Sequence, residues 1–98
     1  MYQAIGVIEL KSIAKGIEAT DAALKSAGIS LVSARPACPG KYEIIVTGSI
    51  SAVTAAVENA AAMAIKKPVA TAIIANPHEE TRRLVELSAS RLQKKADK

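Results

Sequence analysis

The chain of 98 residues contains no Phe and no Trp, and its only aromatic side chains are two tyrosines. Alanine is abundant instead, at twenty positions. Small side chains bury little area each, and burial stabilises a fold by about 25 cal/mol per Å². We therefore expect contacts between subunits to supply part of the stability. An RNA-binding sheet needs aromatic residues on which bases stack, and Tyr2 and Tyr42 alone do not form that platform.

The chain also lacks the features of secreted and membrane proteins. It has a single cysteine, which excludes an intrachain disulfide framework. Residues 1–3 show no basic region before an apolar run, and Glu58 and Asn59 interrupt the longest apolar stretch. The prediction is a cytoplasmic protein with no membrane span. No Ser-His-Asp order, phosphate-binding glycine loop or paired-carboxylate motif is present, so we expect no enzyme.

Acidic and basic residues are unevenly distributed. The formal net charge of +4 resides entirely in residues 82–98, since residues 1–81 carry seven charges of each sign. A basic tail of this kind is typical of a solvated helix and a frayed end, which we prefer to a nucleic-acid-binding face. We predict a single domain over residues 1–92 and a charged tail over residues 93–98.

The apolar pattern predicts strands at residues 2–9, 29–34, 41–47 and 69–75. A first helix is predicted after Ser12 as N-cap, because Ile13, Ile17 and Leu24 recur at helical spacing before Gly28. A second runs from Gly48-Ser49 to Pro68. Asn76 and Pro77 predict the start of a third. The order β-α-β-β-α-β with an added C-terminal helix is the α+β, ferredoxin-like arrangement.

Cys38 lies in the predicted turn between strands two and three. Pro36 and Pro39 flank it, and Gly40 favours a tight turn. A thiolate binds soft metals, and a Cys-Pro pair also ends the ligand run of bacterial ferredoxins. A cluster needs about four thiolates, and rotational symmetry could bring copies of one cysteine together. The alternative is a thiol without a metal-binding role.

The sequence resembles the hexameric shell proteins of bacterial microcompartments, the BMC-domain family, over about residues 3–80. The motifs that carry the resemblance are Ala4-Ile5-Gly6-Val7-Ile8-Glu9, Gly16-Ile17-Glu18-Ala19-Thr20-Asp21-Ala22, Ile44-Ile45-Val46-Thr47-Gly48, Ala52-Val53-Thr54-Ala55-Ala56 and Asn76-Pro77-His78. The resemblance implies a flat homohexamer that tiles into sheets with other shell proteins. It places the loop Pro36-Ala37-Cys38-Pro39-Gly40-Lys41 at a central pore.

That loop is also similar to the pore of shell proteins from glycyl-radical-type compartments. The similarity implies an iron–sulfur cluster, of the 4Fe–4S type, shared between subunits through Cys38. Its role would be electron transfer or cluster passage across the shell, with encapsulated glycyl-radical enzymes as partners. Lys41 would offset the negative charge of clustered thiolates if its side chain faces the pore.

The family also implies a hexamer edge that contains Lys11, together with Asn76, Pro77 and His78. Many members have Arg where this chain has Asn76. Two alternative functions stay open: a plain metabolite pore without a cluster, and a free-standing ferredoxin-like ligand-binding or regulatory module.

Overall fold

A computed structural model describes residues 3–26, 28–37, 40–63 and 70–96 of the chain. The strands are β1 (Ala4–Leu10), β2 (Ile29–Ala37), β3 (Lys41–Gly48) and β4 (Ala70–Ile74). The helices are α1 (Ile13–Leu24), α2 (Ile50–Ala61) and α3 (Glu79–Ala96). The strands form one antiparallel sheet in the order β2-β3-β1-β4. The predicted β-α-β-β-α-β order with an added C-terminal helix is confirmed.

The hydrophobic core lies between one face of the sheet and the helices α1 and α2. Alternate residues of β1 and β3 point into it, including Ile8, Leu10, Ile44 and Val46, all fully buried. Helix α2 buries Val53, Ala56, Val57 and Ala60 against the sheet. The predicted N-cap Ser12 is present, since its hydroxyl accepts the Lys15 amide at 3.2 Å, and the Ser49 hydroxyl at the start of α2 accepts the Ala52 amide at the same distance.

Helix α1 packs on the sheet through small residues rather than through its large apolar ones. Gly16, Ala19 and Ala23 are buried, whereas Ile13, Ile17 and Leu24 are about half exposed. A Cβ on Gly16 would overlap the side chain of Tyr42. The small residues therefore allow α1 to lie close to the sheet, and its isoleucines face elsewhere.

Three element boundaries differ by several residues from the sequence prediction. Helix α2 ends at Ala61, before the predicted end at Pro68. Strand β2 continues to Ala37, three residues past the predicted end, so Pro36 and Ala37 belong to the strand. Proline is tolerated there because β2 is an edge strand, where one row of amides makes no bonds within the sheet. Helix α3 begins at Glu79 rather than at Pro77 and continues to Ala96, into the segment predicted as a charged tail.

The two faces of the sheet are covered unequally. Helix α1 packs over β3 and β2, and α2 packs over β1 and β4. Helix α3 lies over β2 on the opposite face, where with Val32 and Ile5 it borders a cleft of about 140 Å³. None of the helices in the described ranges is long and apolar enough to cross a membrane.

Candidate functional site

The β2–β3 hairpin presents the loop that the sequence singled out. Pro36 pairs with Tyr42 and Ala37 pairs with Lys41, so the paired strands end at Ala37 and Lys41, with three residues of sequence between them. Cys38 and Pro39 lie outside the described residues. Gly40 has φ +66°, a value that L side chains rarely adopt, and a Cβ built there would meet no atom within 4 Å. The glycine is therefore required for backbone conformation and not for space.

The base of the hairpin is fixed by packing. Tyr42 is 9% exposed and its ring lies against Gly16 of α1. Because Tyr42 pairs with Pro36 on one side and with Leu10 on the other, the contact with α1 positions both strands of the hairpin. The turn is thus held on a rigid support, as expected of loops that carry function.

Four charged side chains lie near the hairpin on the sheet face that α1 and α2 leave uncovered. Arg35 Nη2 is 3.2 Å from Glu43 Oε1, and Lys41 Nζ is 3.8 Å from Glu9 Oε1. Glu9 and Glu43 are direct partners on β1 and β3, and two carboxylates so placed repel each other. Arg35 and Lys41 offset that repulsion. The Lys41 side chain is thereby directed toward β1, along the sheet.

The four residues predicted for a hexamer edge do not lie together in the subunit. Ile5 of β1 pairs with Ile74 of β4, so Asn76 follows the end of β4 near the start of β1. Lys11 follows the other end of β1. Six residues of strand, at about 3.3 Å each, separate the two positions by roughly 20 Å.

Two of these residues have local structural roles. Pro77 is fully buried. The exposed His78 side chain accepts the Glu80 amide at its Nδ1, at 3.0 Å, and its carbonyl accepts the Arg82 amide. His78 therefore caps α3, which explains why the helix begins at Glu79. Lys11 and Asn76 are exposed. The assignment of all four residues to an edge stays a prediction.

Sequence reasoning missed two exposed apolar surfaces at opposite edges of the sheet. The first, the α1 stripe, consists of Ile13, Ile17 and Leu24, which are 45%, 57% and 47% exposed. Asn59 of α2 donates to Ser26, which follows α1 on the side of the helix opposite the stripe. The α1 stripe therefore faces away from α2. The second, the β4 edge, is strand β4 itself, in which every residue is exposed, Ile73 and Ile74 included.

A sequence signal for the α1 stripe did exist. Gly16, Ala19 and Ala23 recur at helical spacing beside the isoleucines. Two stripes on one helix, one of small residues and one of large apolar residues, indicate that the helix packs against two partners.

For metal binding, the described residues hold no group of three or more His, Cys, Asp and Glu side chains that could bind an ion.

Comparison with known proteins adds independent findings. The family model described as "BMC domain" matches residues 4–77. The chain is 42% identical over 78 residues to the bacterial microcompartment shell protein PduT of Citrobacter freundii, a match that covers 80% of this chain and 42% of PduT. It is 34% identical over 85 residues to the shell protein PduA of the same organism, covering 85% of this chain and 91% of PduA.

A solved structure shows the same likeness. The crystal structure of a microcompartment protein from Desulfitobacterium hafniense DCB matches with a TM-score of 0.81 and 37% identity. The match covers 89% of this chain and 48% of the other. The chain therefore spans less than half of PduT and of this protein, and nearly all of PduA.

Proposed function

The chain belongs to the BMC-domain family of bacterial microcompartment shell proteins, whose members are structural and not enzymatic, and on that premise we propose that it forms a cyclic hexamer with an iron–sulfur cluster on Cys38 at the central pore. The β2–β3 register supports the proposal, because the paired strands end at Ala37 and Lys41 and only three residues of sequence, Cys38 among them, connect the two ends. The cluster would carry electrons across the shell or be passed through it.

The apolar surfaces support the ring. A cyclic oligomer uses heterologous contacts, in which two different patches of neighbouring subunits meet. The α1 stripe and the β4 edge are two such patches, both apolar and at opposite edges of one sheet. Complete burial of an Ile or Leu side chain contributes about 1.5–3 kcal/mol. Burial of the exposed halves of three such residues therefore stabilises each contact by roughly 2–4 kcal/mol.

The described residues fit the cluster in three respects. Each chain has one thiol, and a ring supplies the several thiolates that a cluster requires. Gly40 adds no side chain to the turn, so neighbouring turns can approach one axis. Arg35 and Lys41 are paired with Glu43 and Glu9, so the hairpin base has little net charge beside the thiolates.

The ligands would be Cys38 thiolates from some of the six subunits, because six equivalent thiols exceed about four iron sites. The group would supply one-electron transfer. Partner proteins in this proposal are other shell proteins that tile with the hexamer and glycyl-radical enzymes inside the compartment.

Anaerobic purification followed by iron and sulfide analysis tests the proposal. We expect brown wild-type protein that bleaches in air, and colourless Cys38→Ser and Cys38→Ala variants of unchanged size in sedimentation. Size must be retained because a turn residue contributes little to the core. A wild-type hexamer that holds no iron even after anaerobic reconstitution would reject the cluster and favour a plain metabolite pore. A folded monomer at micromolar concentration would reject the ring and favour a free-standing module.

A further inference from the structure

Helix α3 exposes its larger apolar residues and turns smaller ones toward the sheet. Leu84 and Leu87 are 63% and 45% exposed, whereas Val85 and Ala89, on the other side of the helix, are half-buried. Most helical stability in proteins comes from packing of an apolar face. The packing of α3 within its own chain is incomplete, since its backbone approaches only β2 among the described elements and a cleft separates it from Ile5 and Thr47 of the sheet. The outer face of α3 therefore needs a partner.

The exposed residues form a regular seam. Glu80, Leu84, Leu87 and Arg91 are all exposed and are spaced by four, three and four residues. This is the spacing of positions that meet in a coiled coil, and at 100° per residue all four lie within about 60° of the helix surface. We call these four residues the α3 seam.

The α3 seam is complementary to itself. When two copies lie antiparallel about the midpoint between Leu84 and Leu87, each Leu84 meets the partner's Leu87. The same register sets each Glu80, which also pairs with Arg83 of its own helix at 3.1 Å, against the partner's Arg91. Both ends of the contact then pair opposite charges, and both central layers pair leucines. A parallel alignment would set glutamate against glutamate and arginine against arginine.

From this complementarity we infer that α3 is an isologous docking surface for α3 of a second copy of the chain. Neighbours within a cyclic ring make heterologous contacts, so a two-fold contact of this kind joins subunits of different rings. The inference thus rests on the proposed ring and adds a contact between rings. One helix pair with two leucine layers buries less than the roughly 1,000 Å² that a stable interface needs. Six simultaneous pairs between two rings raise the avidity by orders of magnitude.

Charge reversal tests the inference. We expect Glu80→Arg and Arg91→Glu each to convert paired rings into single rings in sedimentation velocity, and the double variant to restore paired rings. Glu79→Arg is the control, since it makes the same charge change in the same helical turn, outside the seam. Glu80→Arg also removes the pair with Arg83, which Arg91→Glu leaves in place, so the two single variants must agree. Single six-subunit rings for the wild-type protein would overturn the inference without affecting the proposed ring. Paired rings that persist in both single variants would also overturn the inference.

Cysteine cross-linking tests the register, in a Cys38→Ser background that removes the native thiol. Rings that carry Leu84→Cys are mixed with rings that carry Leu87→Cys and then oxidised. We expect covalent dimers in the mixture and none in either protein alone. Dimers formed by Leu84→Cys alone would show a parallel contact, and no dimers in the mixture would show no contact; either result overturns the inference. Circular dichroism of each variant checks that α3 is retained.

Discussion

Replacement of Ile17 by Lys should prevent ring formation while the subunit remains folded. Ile17 is the most exposed residue of the α1 stripe, at 57%, so the isolated subunit loses little core packing when it is replaced. Lysine is a good helix former, and Asp21, which pairs with Lys25 at 2.8 Å, lies one turn further on α1 to offset its charge. The fold of the subunit should therefore change in stability by less than about 0.5 kcal/mol.

The ring contact should respond differently. The exposed part of Ile17 contributes about 1–2 kcal/mol when a neighbour buries it, and a buried ammonium without a partner costs several kcal/mol more. A loss of at least roughly 3 kcal/mol per contact weakens each contact about a hundredfold. Leu84→Lys is the matched control. It inserts lysine at an exposed leucine of α3, also one turn from an acid, Glu80, and should leave single rings intact.

Sedimentation velocity at micromolar concentration, together with circular dichroism, measures both effects. We expect folded monomers for Ile17→Lys and six-subunit rings for Leu84→Lys. Intact rings in the Ile17→Lys variant would refute the assignment of the α1 stripe to the ring contact. Monomers in both variants would show that the effect does not depend on the surface that is changed.

Three further changes separate assembly from folding. Lys11→Asp should leave the hexamer intact but abolish extended sheets in electron micrographs, because Lys11 is exposed and contributes nothing to the core; unchanged sheets would remove Lys11 from the edge. Gly16→Ala should destabilise the subunit by about 1–3 kcal/mol in urea denaturation, because the new methyl group would overlap Tyr42. The gain in helix propensity, about 1 kcal/mol, offsets only part of that cost. An unchanged midpoint would show that the contact between Gly16 and Tyr42 is not tight. Truncation after Leu92 should leave the ring and the α3 seam in place. If the truncated protein no longer sediments as a hexamer, the prediction that the tail is dispensable is wrong.

Local signals located most of the fold. The strands, the N-caps Ser12 and Ser49 and the buried face of α2 all follow from periodicity and capping chemistry, which act within a few residues. The start of α3 was misplaced because the His78 side chain caps the helix, a role that Asn76 was expected to fill. Pro36 was read as loop because the edge position of β2, which tolerates proline, depends on the whole sheet.

The surfaces of α1 could not be assigned from periodicity alone. Ile13, Ile17 and Leu24 have the spacing of a core face, yet the face that meets the sheet is Gly16, Ala19 and Ala23. Apolar spacing shows that a residue needs a partner without showing whether that partner lies in the same chain. The two strands that flank Cys38 in the sequence were predicted from local sequence. How many Cys38 thiols can meet at one point depends on the symmetry of the oligomer, which one chain does not specify.

Iron and acid-labile sulfide, measured in wild-type and Cys38→Ser rings purified and reconstituted without oxygen, test the central claim most directly. We predict about four iron and four sulfide per wild-type hexamer, a reducible paramagnetic signal, and none of these in a Cys38→Ser hexamer of the same size. A wild-type ring that remains free of iron, or a Cys38→Ser ring that binds as much, would contradict the account.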